Sequence, residues 1–334
     1  MLKKKTVLIA LLITAVVVIL LAPFAGMKTI SLHALLTAAA DRMDSYIFFN
    51  IRVPRVLTAA LAGAGLAVSG MTFQSMFRNS LATPFTLGVS SGASLGASIY
   101  VWSGLTLSIT GVPGVSLFSF AGAGLAILFV YGITKMKGGF STATMLLAGV
   151  AISFFFSSVI LLIQYACDLT HSFRIVRWLM GGLEAVGYQP AINMLPFVLL
   201  GVAIVSVQVN GLNLMSVGEE LAVSRGVDAS KVKKLLFLAA SLMVGGVVAV
   251  CGPIGFVGMM VPHICRLLIG PDHRYLMPAT VLFGSAFLVV CDTIARTILA
   301  PVEMPVGIIT ALLGGPFFIW LLLSRVSERL VYED

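Results

Sequence analysis

Apolar residues along this chain come in runs of bilayer-spanning length, about 20 residues for a helix. Ten can be marked, near residues 7–25, 56–76, 86–104, 115–134, 143–166, 191–209, 235–251, 256–269, 279–299 and 305–324. Each predicts a transmembrane helix, the eighth being short and bounded by glycine. The first follows a basic start, as a signal peptide does. Its apolar run is long and many spans follow, so it reads as an uncleaved first helix. Small residues recur inside the runs, as in Ala60-Leu-Ala-Gly-Ala-Gly-Leu-Ala-Val-Ser-Gly70. In lipid, helices associate by close backbone approach rather than by hydrophobic drive, so packing is the expected use of such stretches. The stretch Gly252-Pro-Ile-Gly-Phe-Val-Gly258 cannot continue a helix. Irregular backbone at membrane depth must be buried in protein or line a cavity, and this one is expected near the outer end of the seventh and eighth spans. The fold class is all-α: one polytopic membrane domain over residues 1–334, with a polar loop at about 212–234.

Composition agrees, with 59% hydrophobic residues, 10% charged and a mean hydropathy of +1.07, far from the roughly 25% charged of soluble domains. The net charge is +8, but Lys and Arg are scattered between apolar runs, which gives topology and no nucleic-acid face. With the N-terminus inside, 14 of the 21 basic residues fall on the cytoplasmic side, among them Lys3, Lys4, Lys5, Lys137, Arg325 and Arg329. That satisfies the positive-inside bias and puts both termini in the cytoplasm. It also places there the densest polar stretch, Ser216 to Lys234, which holds seven charged residues. That stretch reads as a short helix, a turn at Gly226, and a second helix capped by Asp228 or Ser230.

The chain lacks a Gly-Lys dipeptide, so it carries no P-loop and is no ATPase of that kind. It has no H-E-x-x-H motif and no paired carboxylates inside a span, which leaves no enzyme reading. Cys167, Cys251, Cys265 and Cys291 have neither disulfide-framework nor zinc spacing and read as small core residues. Met71, Met76, Met145 and Met180 likewise read as core. An ion-coupled carrier would place carboxylates or histidines at mid-membrane. Only Asp168, Asp292 and Glu303, near outer ends, and His263 are available.

Several stretches carry a resemblance. They are Arg52-Val-Pro-Arg55, Asn79-Ser-Leu-Ala-Thr-Pro-Phe-Thr-Leu-Gly-Val-Ser-Ser-Gly-Ala93, Gly218-Glu-Glu-Leu-Ala222 with Arg225-Gly-Val227, and Gly252-Pro-Ile-Gly-Phe-Val-Gly-Met-Met-Val-Pro-His-Ile-Cys-Arg266. Gly270-Pro-Asp-His-Arg274, Asp292-Thr-Ile-Ala-Arg296 and Glu303-Met-Pro-Val-Gly307 follow in order. Together they resemble the FecCD, or BtuC-like, permease subunits of bacterial ABC importers for iron chelates, haem and vitamin B12. The likeness runs from about residue 7 to 326 and departs at Ser80 and Phe85.

The resemblance implies ten helices, a dimer of two copies or of paralogues in the inner membrane, and two cytoplasmic ATPase subunits. ATP and Mg would be held by those subunits and no cofactor by this chain. Cargo would arrive on a periplasmic or lipid-anchored binding protein. It further implies that Val217, Gly218, Glu219, Glu220, Leu221, Ala222, Arg225, Gly226, Val227 and Asp228 form the segment that fits a cleft on the ATPase. Glu219, Glu220 and Arg225 would lie at the rim, with Leu221, Ala222 and Val227 packing inside. The plainer alternative is a solvated loop. Arg52, Arg55 and Arg296 are implied to receive carboxylates of the binding protein; the alternatives are interface snorkelling or pairing with Asp292, one turn before Arg296. His263, beside Arg266 on one helix face, is expected to pack rather than to ligate. His171, near Arg174 and Arg177, is a weaker haem-contact candidate. The expected cargo is an iron–siderophore complex, with haem, vitamin B12 and, further off, molybdate as alternatives. An ion-coupled secondary carrier is the rival from another class.

Overall fold

The computed structural model describes residues 2–26, 42–83, 85–109, 111–136, 141–183 and 186–332. Lys137, and the side chains of Arg325 and Arg329, lie outside what is described. The helices are α1 Leu2–Leu21, α2 Val53–Phe77, α3 Val89–Trp102, α4 Gly114–Met136, α5 Thr142–Ala166, α6 Leu169–Leu179 and α7 Gln189–Val207. They continue with α8 Val209–Val217, α9 Glu219–Ser224, α10 Ala229–Cys251, α11 Val257–Ile269, α12 His273–Thr297 and α13 Val306–Tyr332. A helical lead-in, Arg42–Tyr46 and Ile47–Arg52, runs into α2. A two-residue ribbon, Ser108–Ile109 with Val112–Pro113, joins α3 to α4.

The ten predicted runs correspond to α1 to α5, α7 and α10 to α13. Among the described residues seven helices are long and apolar enough to span a bilayer, counting α2 with its lead-in; α3, α11 and the described apolar part of α13 are shorter. The short helices α6, α8 and α9 lie between spans. Aspartates start three of the helices: Asp168 accepts from His171 N, Asp228 from Lys231 N and Asp272 from Arg274 N. Each satisfies a backbone donor that the first turn leaves open.

Helix α2 runs through the middle, against α7, α10, α11 and α12, while α3 packs on α4 and α5, and α1 lies along α12. Its small residues let other backbones touch it. A methyl group at Gly70 would overlap the Gly258 carbonyl of α11, and Gly92 and Gly122 bring α3 and α4 together in the same way. The core between them is filled by Phe73, Phe237, Met71, Met145 and Leu66. The core reading of Met71, Met76 and Met145 and of Cys251, Cys265 and Cys291 is met, whereas Met180 is exposed and Cys167 half-buried.

The Gly252–Gly258 stretch is irregular as expected, but its place is corrected. Helix α10 stops at Gly252, whose φ of +65° suits glycine. The chain then travels along the bundle until Gly258 meets Gly70, close to the far end of α2, so the stretch is not confined to one end of the spans. Its backbone is met by protein: Gly252 N donates to Val248 O, Gly258 O accepts from the Gln74 amide, and Pro253 O packs against Gly181 and Gly307. Phe256, at φ +66°, opens α11 and lays its ring against Gly314. Burial in protein is the condition under which non-helical backbone survives at membrane depth. A cavity of about 210 Å³ opens here, walled by Leu66, Thr83, Phe85, Phe256 and Met259.

Candidate functional site

Two polar assemblies stand at opposite ends of the bundle. At the loop end, α8 stops at Val217, Gly218 is extended, and α9 begins with Glu219 and Glu220 in its first turn, where the helix dipole favours carboxylates. Arg225 closes α9, Gly226 turns at φ +80°, and Val227 N donates to Ala222 O. Asp228 then caps α10. The Lys231 backbone N–H, and secondly its ammonium, hold the Asp228 carboxyl below the usual carboxylate range.

The expected division of labour in this segment changes. Glu219 Oε2 lies 2.6 Å from Lys233 Nζ, and Lys233 is only 3% exposed. Glu219 is therefore engaged inside the chain, latching α9 onto the first turns of α10. Ala222 is buried in the chain's own core and Val227 is half-buried, so neither is presented as a cleft-filling side chain. The outward face includes Val217, Glu220, Leu221, Val223 and Arg225. Val223 escaped the sequence reading because nothing in a six-residue helix tells which apolar residue faces out. Lys233 escaped it because it reads there as one more topology charge.

At the arginine end, Arg55, 7% exposed, places Nε 3.0 and 3.1 Å from the two Asp292 oxygens and Nη1 2.6 Å from Glu303 Oε2. Arg296 Nε lies 3.3 Å from Asp292 Oδ2, and its Nη2 donates to Ala22 O at 2.9 Å. Arg52 donates to Pro23 O and Phe24 O, at 3.1 and 3.3 Å. Asp292, 1% exposed, is thus held between two guanidinium groups. The predicted Asp292–Arg296 pair is present; Arg55 as a partner of Asp292 and Glu303, from distant sequence, was not foreseen. Asp44 adds a third carboxylate beside Arg52, so three guanidinium groups face three carboxylates. Glu303 is half exposed, which makes it the outward lip of the cluster.

The remaining candidates are separate from both assemblies. His263 packs edge-on to Phe317, centroids 5.9 Å apart. Arg266 on the same helix bonds Gln74 of α2. His171 Nδ1 lies 2.6 Å from Asp168 Oδ1 in the cap of α6. Among the described residues no cluster of His, Cys, Asp and Glu could hold a metal ion. Gly88-Val-Ser-Ser-Gly92 matches the spacing of a hydrolase nucleophile elbow, which needs a strand-to-helix turn. Here a 3-10 turn, Phe85–Leu87, precedes α3 and Ser90 is buried among helices, so the match is packing.

Comparison with known proteins meets this arrangement. The pattern described as the FecCD transport family matches residues 11–324. An uncharacterised ABC transporter permease protein, YvrB of Bacillus subtilis (strain 168), is 42% identical, covering 85% of this chain and 81% of that protein. The cobalamin import system permease protein BtuC of Halobacterium salinarum is 41% identical, covering 90% and 80%. Other matches are named for import of haemin, ferric hydroxamate, ferric citrate and molybdate. A solved inward-facing metal-chelate type ABC transporter superposes with a TM-score of 0.87 at 30% identity, covering 96% of this chain and 99% of that one. A helical membrane bundle matched along nearly its full length to such proteins is an ABC importer permease: the chain belongs to the FecCD transport family.

Proposed function

We propose that this permease carries a metal chelate across the cytoplasmic membrane, driven by ATP hydrolysis in separate subunits that dock on the α9 face. The observation that carries the reading is that face itself. Leu221 and Val223 are exposed beside Glu220 and Arg225 on a helix latched to α10, with Val217 exposed at the end of α8. A short helix with exposed apolar side chains and a charged rim suits a socket on another protein better than open solvent. Membership of an ABC permease family sets aside the ion-coupled carrier. ATP binding would draw two such segments together and shift the population between outward-open and inward-open bundles. The assembly is a pair of permeases with two ATPases in the cytoplasm, so the loop end faces the cytoplasm and the arginine end faces outward.

Arg52, Arg55 and Arg296 receive the carboxylates of a binding protein in this reading. Their burial refines how: an incoming carboxylate displaces Glu303 from Arg55, while Asp292 keeps the guanidinium groups in place.

The cargo expected from the sequence is an iron–siderophore complex. Cobalamin is the second reading, favoured by the 41% identical relative named for it. The test is reconstitution in liposomes with the cognate ATPase and binding protein, offering ferric siderophores, cobalamin, haemin and molybdate in parallel. ATP-dependent uptake of a ferric siderophore supports the first cargo reading, and uptake of cobalamin alone replaces it with the second. Uptake of any of them without ATPase would overturn the importer mechanism.

A further inference from the structure

Helix α8 leads into the docking segment, and one buried side chain fastens it to the bundle. His273, the first residue of α12, is 2% exposed, and its ring touches two other helices. Its Nδ1 lies 2.7 Å from Asn213 Oδ1 on α8, and its Nε2 lies 2.6 Å from Ser75 Oγ on α2. The tautomer follows from the partners. The His273 backbone N–H, which can only donate, meets the same Asn213 Oδ1 at 2.9 Å, while Asn213 Nδ2 donates to Asp272 Oδ1 at 2.9 Å. The amide is therefore fixed with its oxygen toward His273 and Nδ1 carries a proton, while the Ser75 hydroxyl, whose one proton lies between Met71 O at 2.8 Å and His273 Nε2, closes the contact on the other side of the ring.

Helix capping does not account for the ring, because Asp272 already caps α12 through Arg274 N. Space-filling does not account for it either, since a leucine would fill the site without two polar atoms to satisfy. The polar seam also continues past Ser75. The neighbouring Gln74 donates to Gly258 O and Met259 O, and its carbonyl accepts from Arg266. Those are the start of α11 and a wall of the 210 Å³ cavity.

We propose that His273 is a positioning residue that transmits displacement of the docking segment to the bundle, through Asn213 on one side and Ser75 on the other. Glu219–Lys233 ties the segment 209–228 to α10, and Asn213–Asp272 and Asn210–Arg274 tie it to α12. The His273 ring alone carries the Asn213 contact on to Ser75 of α2, and through Gln74 to the irregular stretch that walls the cavity. With that ring contact cut, α8 and α12 move on ATP binding while α2 and α11 stay behind. Hydrolysis then proceeds without transport.

This rests on the importer reading, and the experiment separates the two. The wild-type chain, reconstituted with its ATPase and binding protein, is assayed for cargo moved per ATP hydrolysed. ATP-dependent uptake by wild type tests the importer; its absence removes that reading and the relay with it. Given that uptake, His273→Leu is expected to lower cargo per ATP about tenfold, the worth of one or two buried hydrogen bonds, with hydrolysis little changed. His273→Asn, which keeps a polar atom facing Asn213 but cannot reach Ser75, is expected to fall between. Ser75→Ala alone lowers the ratio, and added to His273→Leu it lowers it no further, because both cut one connection. If His273→Leu does not assemble, Ser75→Ala and Asn213→Ala give the same reading. An unchanged ratio, hydrolysis and uptake falling in proportion, or independent effects in the double variant would each overturn the relay.

Discussion

Asp292 is the residue on which the arginine end turns. It has almost no solvent and two guanidinium partners, so removing it strands buried positive charge. Breaking such a group from one side costs about 3 to 5 kcal/mol. Asp292→Ala is expected to lower the melting temperature of the detergent-purified chain sharply. Glu303→Gln, at the half-exposed lip, should cost about 1 kcal/mol or less. Comparable losses in the two variants would mean that Asp292 does not anchor the cluster. Asp228 gives a pH-dependent case. Its folded-state pKa is depressed by the Lys231 N–H, so the cap contributes above the ordinary carboxylate range and is lost as pH falls through the depressed value. Hydrogen exchange at the Lys231 amide should quicken in acid in the wild type, and Asp228→Ala should show the fast rate already at neutral pH.

Between elements, contact is decided by which glycines face a backbone. Gly70 faces the Gly258 carbonyl, whereas a methyl group at Gly124 of α4 would meet nothing within 4 Å. Gly70→Ala should destabilise by about 1 to 3 kcal/mol, the usual cost of overpacking, and Gly124→Ala should be neutral or slightly stabilising. Equal thermal shifts would refute that close approach. The latch of α9 gives a second contrast. Lys233→Met should loosen the docking segment, seen as faster exchange over 219–226, with the bundle's melting temperature little changed. Glu220→Lys should leave that exchange alone and weaken ATPase association.

For the whole molecule, the two ends are separable functions joined by the bundle. Reversing both Glu219 and Glu220 to Lys should abolish ATP-driven uptake while binding-protein affinity persists. Arg52→Glu with Arg55→Glu should do the opposite, weakening the binding protein and sparing ATPase association. A pull-down of each variant with each partner decides, and loss of both partners in either variant would mean that the ends are not independent.

The sequence by itself marked the ten apolar runs, each a helix in the structure and seven of them of spanning length among the described residues, because bilayer thickness imposes a run length that hydropathy reveals. It also determined the docking segment's turn and cap, since Gly226 and Asp228 act through neighbouring residues. The Asp292–Arg296 pair was legible for the same reason, being one helical turn apart. Tertiary structure decided the rest. Arg55 meets Glu303 across 248 residues, Lys233 rather than a partner subunit holds Glu219, and His273 joins α8 to α2. Tertiary structure also decided how far Gly252–Gly258 travels along the bundle: glycine and proline forbid a helix locally, but depth is set by where Gly70 lets another backbone approach. Local rules act along the chain over a few residues. Charge pairing and close packing act through space, between segments whose separation in sequence carries no signal.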